Sequence, residues 1–265
     1  SLSIMIESLD AFTIDWGDGK KKEYPAGNYE LEKMIKGMIL GTTLRVVAPN
    51  VTSFGVFGAK LDDIIIGEAS KLEELRLIGS NLQQLDLSKC PALRFLSIGN
   101  NKLKSLDLRH NPRLEELHCY KNEISHLNLS SCTRLNLLYA QKNQLQEVDL
   151  SANLALRNLA LSTNPLRSID VSKHSLLEEL TLSDTQLKTL GTLPSLSHLL
   201  TLQLARLGLT TEELNALYTA LPDVKGVPIA GDEKPWKCVL DLRKVPNATK
   251  SSLQIARDKG WNVLQ

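Results

Sequence analysis

Within residues 114–134, LEELHCYKNEISHLNLSSCTR, the side chains of His118, Cys119, His126 and Cys132 lie close in sequence, with Glu116 beside them. Imidazole and thiolate groups hold zinc, and a Cys beside a His is the raw material of an activated nucleophile. Either role requires the groups to converge, and repeat position decides whether they do. The preceding block, LRFLSIGNNKLKSLDLRHNPR, and the following one, LNLLYAQKNQLQEVDLSANLA, share the same 21-residue length and the same apolar offsets. In that register Cys119 takes a Leu position and faces inward, where a free Cys behaves as a small hydrophobe. His118 points outward from the same strand. Cys132 holds a turn position in the second half of its unit, shared with Cys90, Asn111, Asn153 and His174. The four groups are therefore expected to face apart, with no metal and no cofactor. Cys90 and Cys132, two units apart, are too distant for a disulfide.

Carboxylates repeat as well. Asp86, Asp107, Asp149 and Asp170, interrupted by Asn128, form a column on the convex side at one-unit spacing. Carboxylates stacked about 4.8 Å apart repel unless each is paired or capped. Capping by the Ser hydroxyl or backbone in LDLS is the expected arrangement, with calcium as the alternative. The sequence holds no phosphate loop, no nucleophile elbow and no His-Asp-Ser arrangement, so an enzyme ranks last among its readings.

The elements that position these residues follow from the period. Aligned at Leu72, Leu93, Leu114, Leu135, Leu156 and Leu177, the units read LxxLxLxxNxLxxLDLxxNxx. The LxxLxL segment alternates, so it is a short strand with its Leu residues inside, and only stacked neighbours can bury that face. Asn101, Asn122, Asn143 and Asn164 occupy the ninth position, where a structural Asn ladder satisfies backbone groups at the bend. Ser80 and Thr185 replace it in the flanking units. A degenerate unit begins at Val51 and a slipped one at Leu199, for about eight units. The half-repeats LxxLDL are extended, either as a second narrow parallel sheet or without a ladder. The expected fold is a leucine-rich-repeat solenoid of the α/β horseshoe class: mostly β, with a parallel concave sheet and few helices.

The outward third, fifth and seventh positions of each strand form the concave surface. Only 5% of residues are aromatic, yet Phe95, Tyr120 and Tyr139 fall together there, and Phe57 extends the group. Packing does not require outward aromatics, whereas binding anchors are enriched in them. The candidate ligand contact is Phe95, His118, Tyr120, Leu137 and Tyr139, with Arg76 and Glu116 as a polar rim.

Outside the period, residues 1–50 are expected to form an N-terminal β cap in which AFTIDWGDGKKKEY is a hairpin. LEKMIKGMIL fits either a helix or strands; strands are the preferred reading. Residues 51–209 are the array, and residues 210–265 a C-terminal α/β cap. There Thr210 and Glu213 form a capping box before a helix stopped by Pro222, KCVLDL is a strand, and NATKSSLQIARDKGW is a second helix ended by Gly260. Net charge is +1 with 23% charged residues, which supplies no basic field for nucleic acid. No apolar run approaches the roughly 18 residues of a membrane span.

Three stretches carry a resemblance: TIDWGDG before the array, the LxxLDLSxN half-repeats, and IARDKGWNV at the end. The chain resembles the 21-residue class of bacterial leucine-rich-repeat proteins, in particular those secreted or lipid-anchored by Bacteroides-like bacteria. That resemblance implies an exported, non-catalytic binding or adhesion module with a protein or glycan ligand, acting as a monomer at the outer cell surface or outside the cell. It implies a signal or lipoprotein segment removed ahead of Ser1, and leaves a lipid anchor outside this chain open. The alternative is a purely architectural surface protein without a ligand of its own.

Overall fold

The computed structural model describes residues 2–30, 34–38, 41–57, 61–67, 69–193, 196–226 and 238–265. Ahead of the array come β1 (Leu2–Ser8), β2 (Phe12–Asp15), β3 (Lys21–Tyr24), β4 (Gly27–Tyr29), β5 (Ile35–Gly37) and β6 (Thr43–Val47), and the degenerate unit from Val51 supplies β7 (Val51–Phe57) and β8 (Asp63–Ile66). The repeats then supply β9 (Glu74–Arg76), β10 (Phe95–Ser97), β11 (Ser105–Leu106), β12 (Glu116–His118), β13 (His126–Leu127), β14 (Leu137–Tyr139), β15 (Asn158–Ala160), β16 (Glu179–Thr181) and β17 (Thr201–Gln203). After them come α1 (Thr211–Ala220), β18 (Val239–Asp241), α2 (Gln254–Asp258) and β19 (Asn262–Leu264).

One 13-stranded sheet runs through the molecule in the order β19-β18-β17-β16-β15-β14-β12-β10-β9-β7-β1-β4, with β5 also on β1. From β7 to β19 every neighbour is parallel, and the register places Phe54, Leu75, Leu96, Leu117, Leu138, Leu159, Leu180, Leu202 and Leu240 side by side. This row is fully buried, as are the sixth-position residues Leu77, Ile98, Cys119, Ala140, Leu161 and Leu182. Inward Leu residues therefore stack in continuous files that no single unit is able to bury. The chain is a leucine-rich-repeat solenoid.

The second halves of the units are mostly extended without a ladder. A second parallel sheet exists only as the two-residue pairing of β11 with β13 among the described residues. Side-chain turns hold these segments instead. The Oδ1 atoms of Asp86, Asn128, Asp149 and Asp170 accept the backbone N–H two residues on, at 2.9 to 3.0 Å, and Asp107 does the same at 3.1 Å.

At the N-terminal end β2 and β3 form a hairpin, joined through β6 to β8 in a separate four-stranded sheet. Asp15 Oδ1 accepts the N–H groups of Gly17 and Gly19, both at positive φ, which closes the turn. Of the ambiguous LEKMIKGMIL stretch, Ile35–Gly37 is strand, while residues 31–33 and 39–40 lie outside the described residues.

At the other end the Thr210–Glu213 capping box opens α1. The single second helix read over NATKSSLQIARDKGW is not what forms. A 3-10 turn at Ala248–Lys250 and the short α2 are separated at Ser251–Leu253. Tertiary bonds displace helical ones there: Ser252 N–H donates to the side chain of Asn215 on α1 at 2.7 Å, and Ser251 Oγ meets the Tyr218 hydroxyl at 2.9 Å. IARDKGWNV then clamps α1 from below. Lys259 Nζ donates to the carbonyls of Thr219 and Leu221 and Trp261 Nε1 to that of Pro222, occupying acceptors that a helix end leaves open. No helix among the described residues is long and apolar enough to cross a membrane.

Candidate binding surface

Rigidity of the concave sheet begins at the bend that follows each strand. The eighth residue of successive units, Asn100, Lys121, Lys142, Thr163 and Asp184, has φ between 52 and 60°, the left-handed region that L side chains seldom enter. The ninth-position Asn compensates by bonding in three directions. Asn143 accepts from Ile124 N–H at 3.0 Å and donates to the carbonyls of Cys119 and Ala140, both at 3.0 Å. Asn101, Asn122 and Asn164 repeat the pattern.

A second ladder lies where the sequence reading placed an ordinary turn. Asn111 donates to the carbonyls of Leu87 and Cys90, Asn153 to those of Leu129 and Cys132, and His174 Nε2 meets that of Leu150. Cys90, Asn111, Cys132, Asn153 and His174 are all buried, so this column faces inward. A polar or Cys residue recurring at 21-residue spacing was the available signal.

On the concave face, side chains from five strands touch in one row. The Arg76 guanidinium lies 4.1 Å from the centre of the Phe95 ring. Phe95 meets the His118 ring at 5.2 Å, and His118 meets Tyr139 edge-on at 5.2 Å. Tyr139 then donates its hydroxyl to Glu179 at 2.9 Å. Arg76, expected at the rim, is instead stacked on the aromatic row, and it also pairs with Glu74 at 2.6 Å. Tyr120 lies flat over Gly99: a Cβ at Gly99 would stand 2.4 Å from its ring. Glycine is therefore what makes room for that ring. Leu137 sits in register between Glu116 and Asn158, and Phe57 leans over Gly55 of its own strand. The outward residues of this patch are half-buried by one another.

Electrostatics follow from that packing. Burial holds the His118 imidazole below its ordinary value, against the raising pull of Glu116, whose Oε2 is 3.6 Å from Nε2. That Nε2 makes no hydrogen bond among the described residues. Burial, with Glu179 beside it, pushes the Tyr139 phenol up to about 12, so it remains a donor at neutral pH.

His118, Cys119 and His126 do not converge on a common point. Cys119 faces the interior, His118 the concave face, and His126 is exposed on β13. Burial pushes Cys119 up to about 12 and Cys90 and Cys132 to about 11, which keeps them as inert thiols. On the convex side a groove of about 800 Å³ is lined by Leu127, Val148, Ile169, Asp149 and Asp170. One oxygen of each of those two carboxylates accepts the backbone N–H of Ser151 or Ser172.

No protein-family profile matches the chain, and no curated protein matches it. Among solved structures it is similar to a leucine-rich-repeat protein of Leptospira interrogans, with TM-score 0.59 and 20% identity over 77% of this chain and 53% of that one. It is similar to the functional domain of InlJ from Listeria monocytogenes, which includes a cysteine ladder, with TM-score 0.49 and 28% identity over 61% and 40% of the two chains. An internalin (inlF) from Listeria monocytogenes gives TM-score 0.48 and 21% identity over 57% and 49%. The structural neighbours are thus bacterial leucine-rich-repeat proteins, and this chain spans about half of their length or less. The Leptospira likeness speaks to the fold alone.

Proposed function

We propose that this chain is a non-catalytic binding module of a surface or secreted protein, which presents its concave sheet to a macromolecular ligand. In this reading residues 51–209 are the binding array, and residues 1–50 and 210–265 close its ends as caps. Phe95, His118, Tyr120, Leu137 and Tyr139 are the contact, with Arg76 and Glu116 contributing charge. The protein acts as a monomer at the cell exterior, on a protein or a glycan. The observation that supports this most is the continuous row Arg76–Phe95–His118–Tyr139–Glu179, which fixes large side chains on a solvent-facing sheet before any ligand arrives. Preordered anchors lose little entropy on binding.

The test is a screen against arrays of extracellular matrix proteins and glycans, followed by Tyr120→Ala/Tyr139→Ala. The double variant is expected to keep its circular dichroism and to lose about 2 kcal/mol or more of binding free energy, the scale of interface anchors. Full affinity in that variant would remove this face from consideration, and capture of nothing on either array would favour the architectural alternative.

A further inference from the structure

Along the third position of each strand the paired register gives the row Glu74, Phe95, Glu116, Leu137, Asn158, Glu179. Its acids differ in how they are neutralised. Glu74 pairs with Arg76 at 2.6 Å. Glu179 is bonded by the hydroxyl of Tyr139 and the amide of Asn158, neutral donors that leave its charge in place. Glu116 has as its neighbour the His118 ring at 3.6 Å, which burial biases toward the neutral form.

Elsewhere among the described residues the arginines of several ion pairs hold acids. Arg94 lies between Glu73 and Glu115, Arg157 binds Glu178, and Arg243 binds Asp241. The exposed Lys121 and Lys142 stand at the opposite rim, past the strands' C-terminal ends. Among the described residues no Lys or Arg forms an ion pair with Glu116 or Glu179, the two carboxylates that flank the aromatic patch.

Any ligand that covers Phe95, Leu137 and Tyr139 also takes these carboxylates out of water. Desolvating a carboxylate without a counter-charge costs several kcal/mol. Neutral sugars supply no counter-charge and acidic glycans repel. Lys and Arg fit both demands, because their methylene stems lie on apolar surface while the head group meets the acid. Glu116 and Glu179 are three rungs apart, roughly 14 Å. An extended segment crossing the strands advances about 3.4 Å per residue, so positions i and i+4 match that span and face the same side.

Resting on the reading of the concave patch as the contact surface, we propose that its partner is a protein segment with basic residues at i and i+4 and an apolar residue between them, the bases on Glu116 and Glu179 and the apolar side chain over Leu137 and Tyr139. The test is selection of phage-displayed random dodecapeptides on the intact protein. Enriched peptides are expected to carry that spacing. One synthesised from the pool should bind Glu116→Gln/Glu179→Gln about tenfold or more weakly, and should also weaken as salt rises from about 50 to about 500 mM. Gln keeps the oxygen to which Tyr139 donates, and a thermal melt verifies the fold. Enrichment without basic residues, undiminished affinity for the Gln variant, or no enrichment overturns the proposal. If the peptide ignores the Gln changes but is lost on Tyr120→Ala/Tyr139→Ala, the concave reading stands and the charge assignment fails. If it ignores both pairs of changes, the concave reading itself fails.

Discussion

His118 is the side chain on which the concave face depends. It touches an aromatic ring on each side, and its Nε2 is buried without a hydrogen bond among the described residues. Its folded-state pKa is lowered by burial, with Arg76 adding a little and Glu116 opposing. The unfolded chain therefore binds a proton at this position more readily than the folded one. The neutral-His118 contribution to stability is present above its ordinary pKa, roughly 6.5, and is lost as pH falls through that value toward the lowered one. The melting temperature of the native protein should fall between about pH 7 and pH 5 by more than that of His118→Gln. Proton NMR should show the His118 ring titrating below the ordinary imidazole value of roughly 6.5. An upward-shifted His118 resonance would mean that Glu116 dominates and that burial does not.

At the scale of elements, the strands are only three residues long, and the bends between them carry much of the specification. Left-handed backbone at Lys121, Lys142 and Thr163 costs about 1–3 kcal/mol each, and the Asn that follows offsets that strain. Asn143→Ala would strip Ile124 N–H of its side-chain acceptor, while the carbonyls of Cys119 and Ala140 lose one bond each and keep those from Asn122 and Asn164. A buried N–H left unpaired costs about 1–3 kcal/mol and each of the two lost carbonyl bonds about 0.5–1.5, so a total loss of about 2–6 kcal/mol is expected in urea denaturation. Asn128→Ala is the control. Its side chain caps an exposed turn on the convex side, and its loss should stay within about 0.5–1 kcal/mol. Similar losses for the two variants would show that the ladder is not a source of stability.

Across the whole molecule, the strand ladder joins each unit to its immediate neighbours, so damage in one rung should spread by adjacency. Leu138 is fully buried in the central Leu file, while Asn136, two residues earlier, is partly exposed at its edge. Leu138→Asp places a carboxylate among apolar side chains, which costs several kcal/mol or forces protonation. Amide exchange should then accelerate first in β12, β14 and β15, with β1 and β7 protected longest. Asn136→Asp should melt like the native protein. Equal melting temperatures would contradict the inside–outside assignment of the strand.

The amino-acid sequence by itself determined the solenoid, because a strand of period two sends alternate residues to opposite sides and the 21-residue recurrence of Leu admits one stacking. It also determined that Phe95, His118, Tyr120, Leu137 and Tyr139 lie on the outward side of their strands. Tertiary structure alone decided which of them touch. Arg76, Phe95, His118, Tyr139 and Glu179 come from five different units, and their contacts depend on rung-to-rung register and rotamers that no local pattern encodes. The same holds for the inward column of Asn111, Asn153 and His174, whose side chains bond to carbonyls 21 and 24 residues away. It holds equally for the divided helix at Ser251–Leu253, where the bond that Ser252 N–H donates to Asn215 outweighs local helical preference. Periodicity is a property of neighbouring backbone dihedrals, whereas these contacts exist only once separate rungs have stacked.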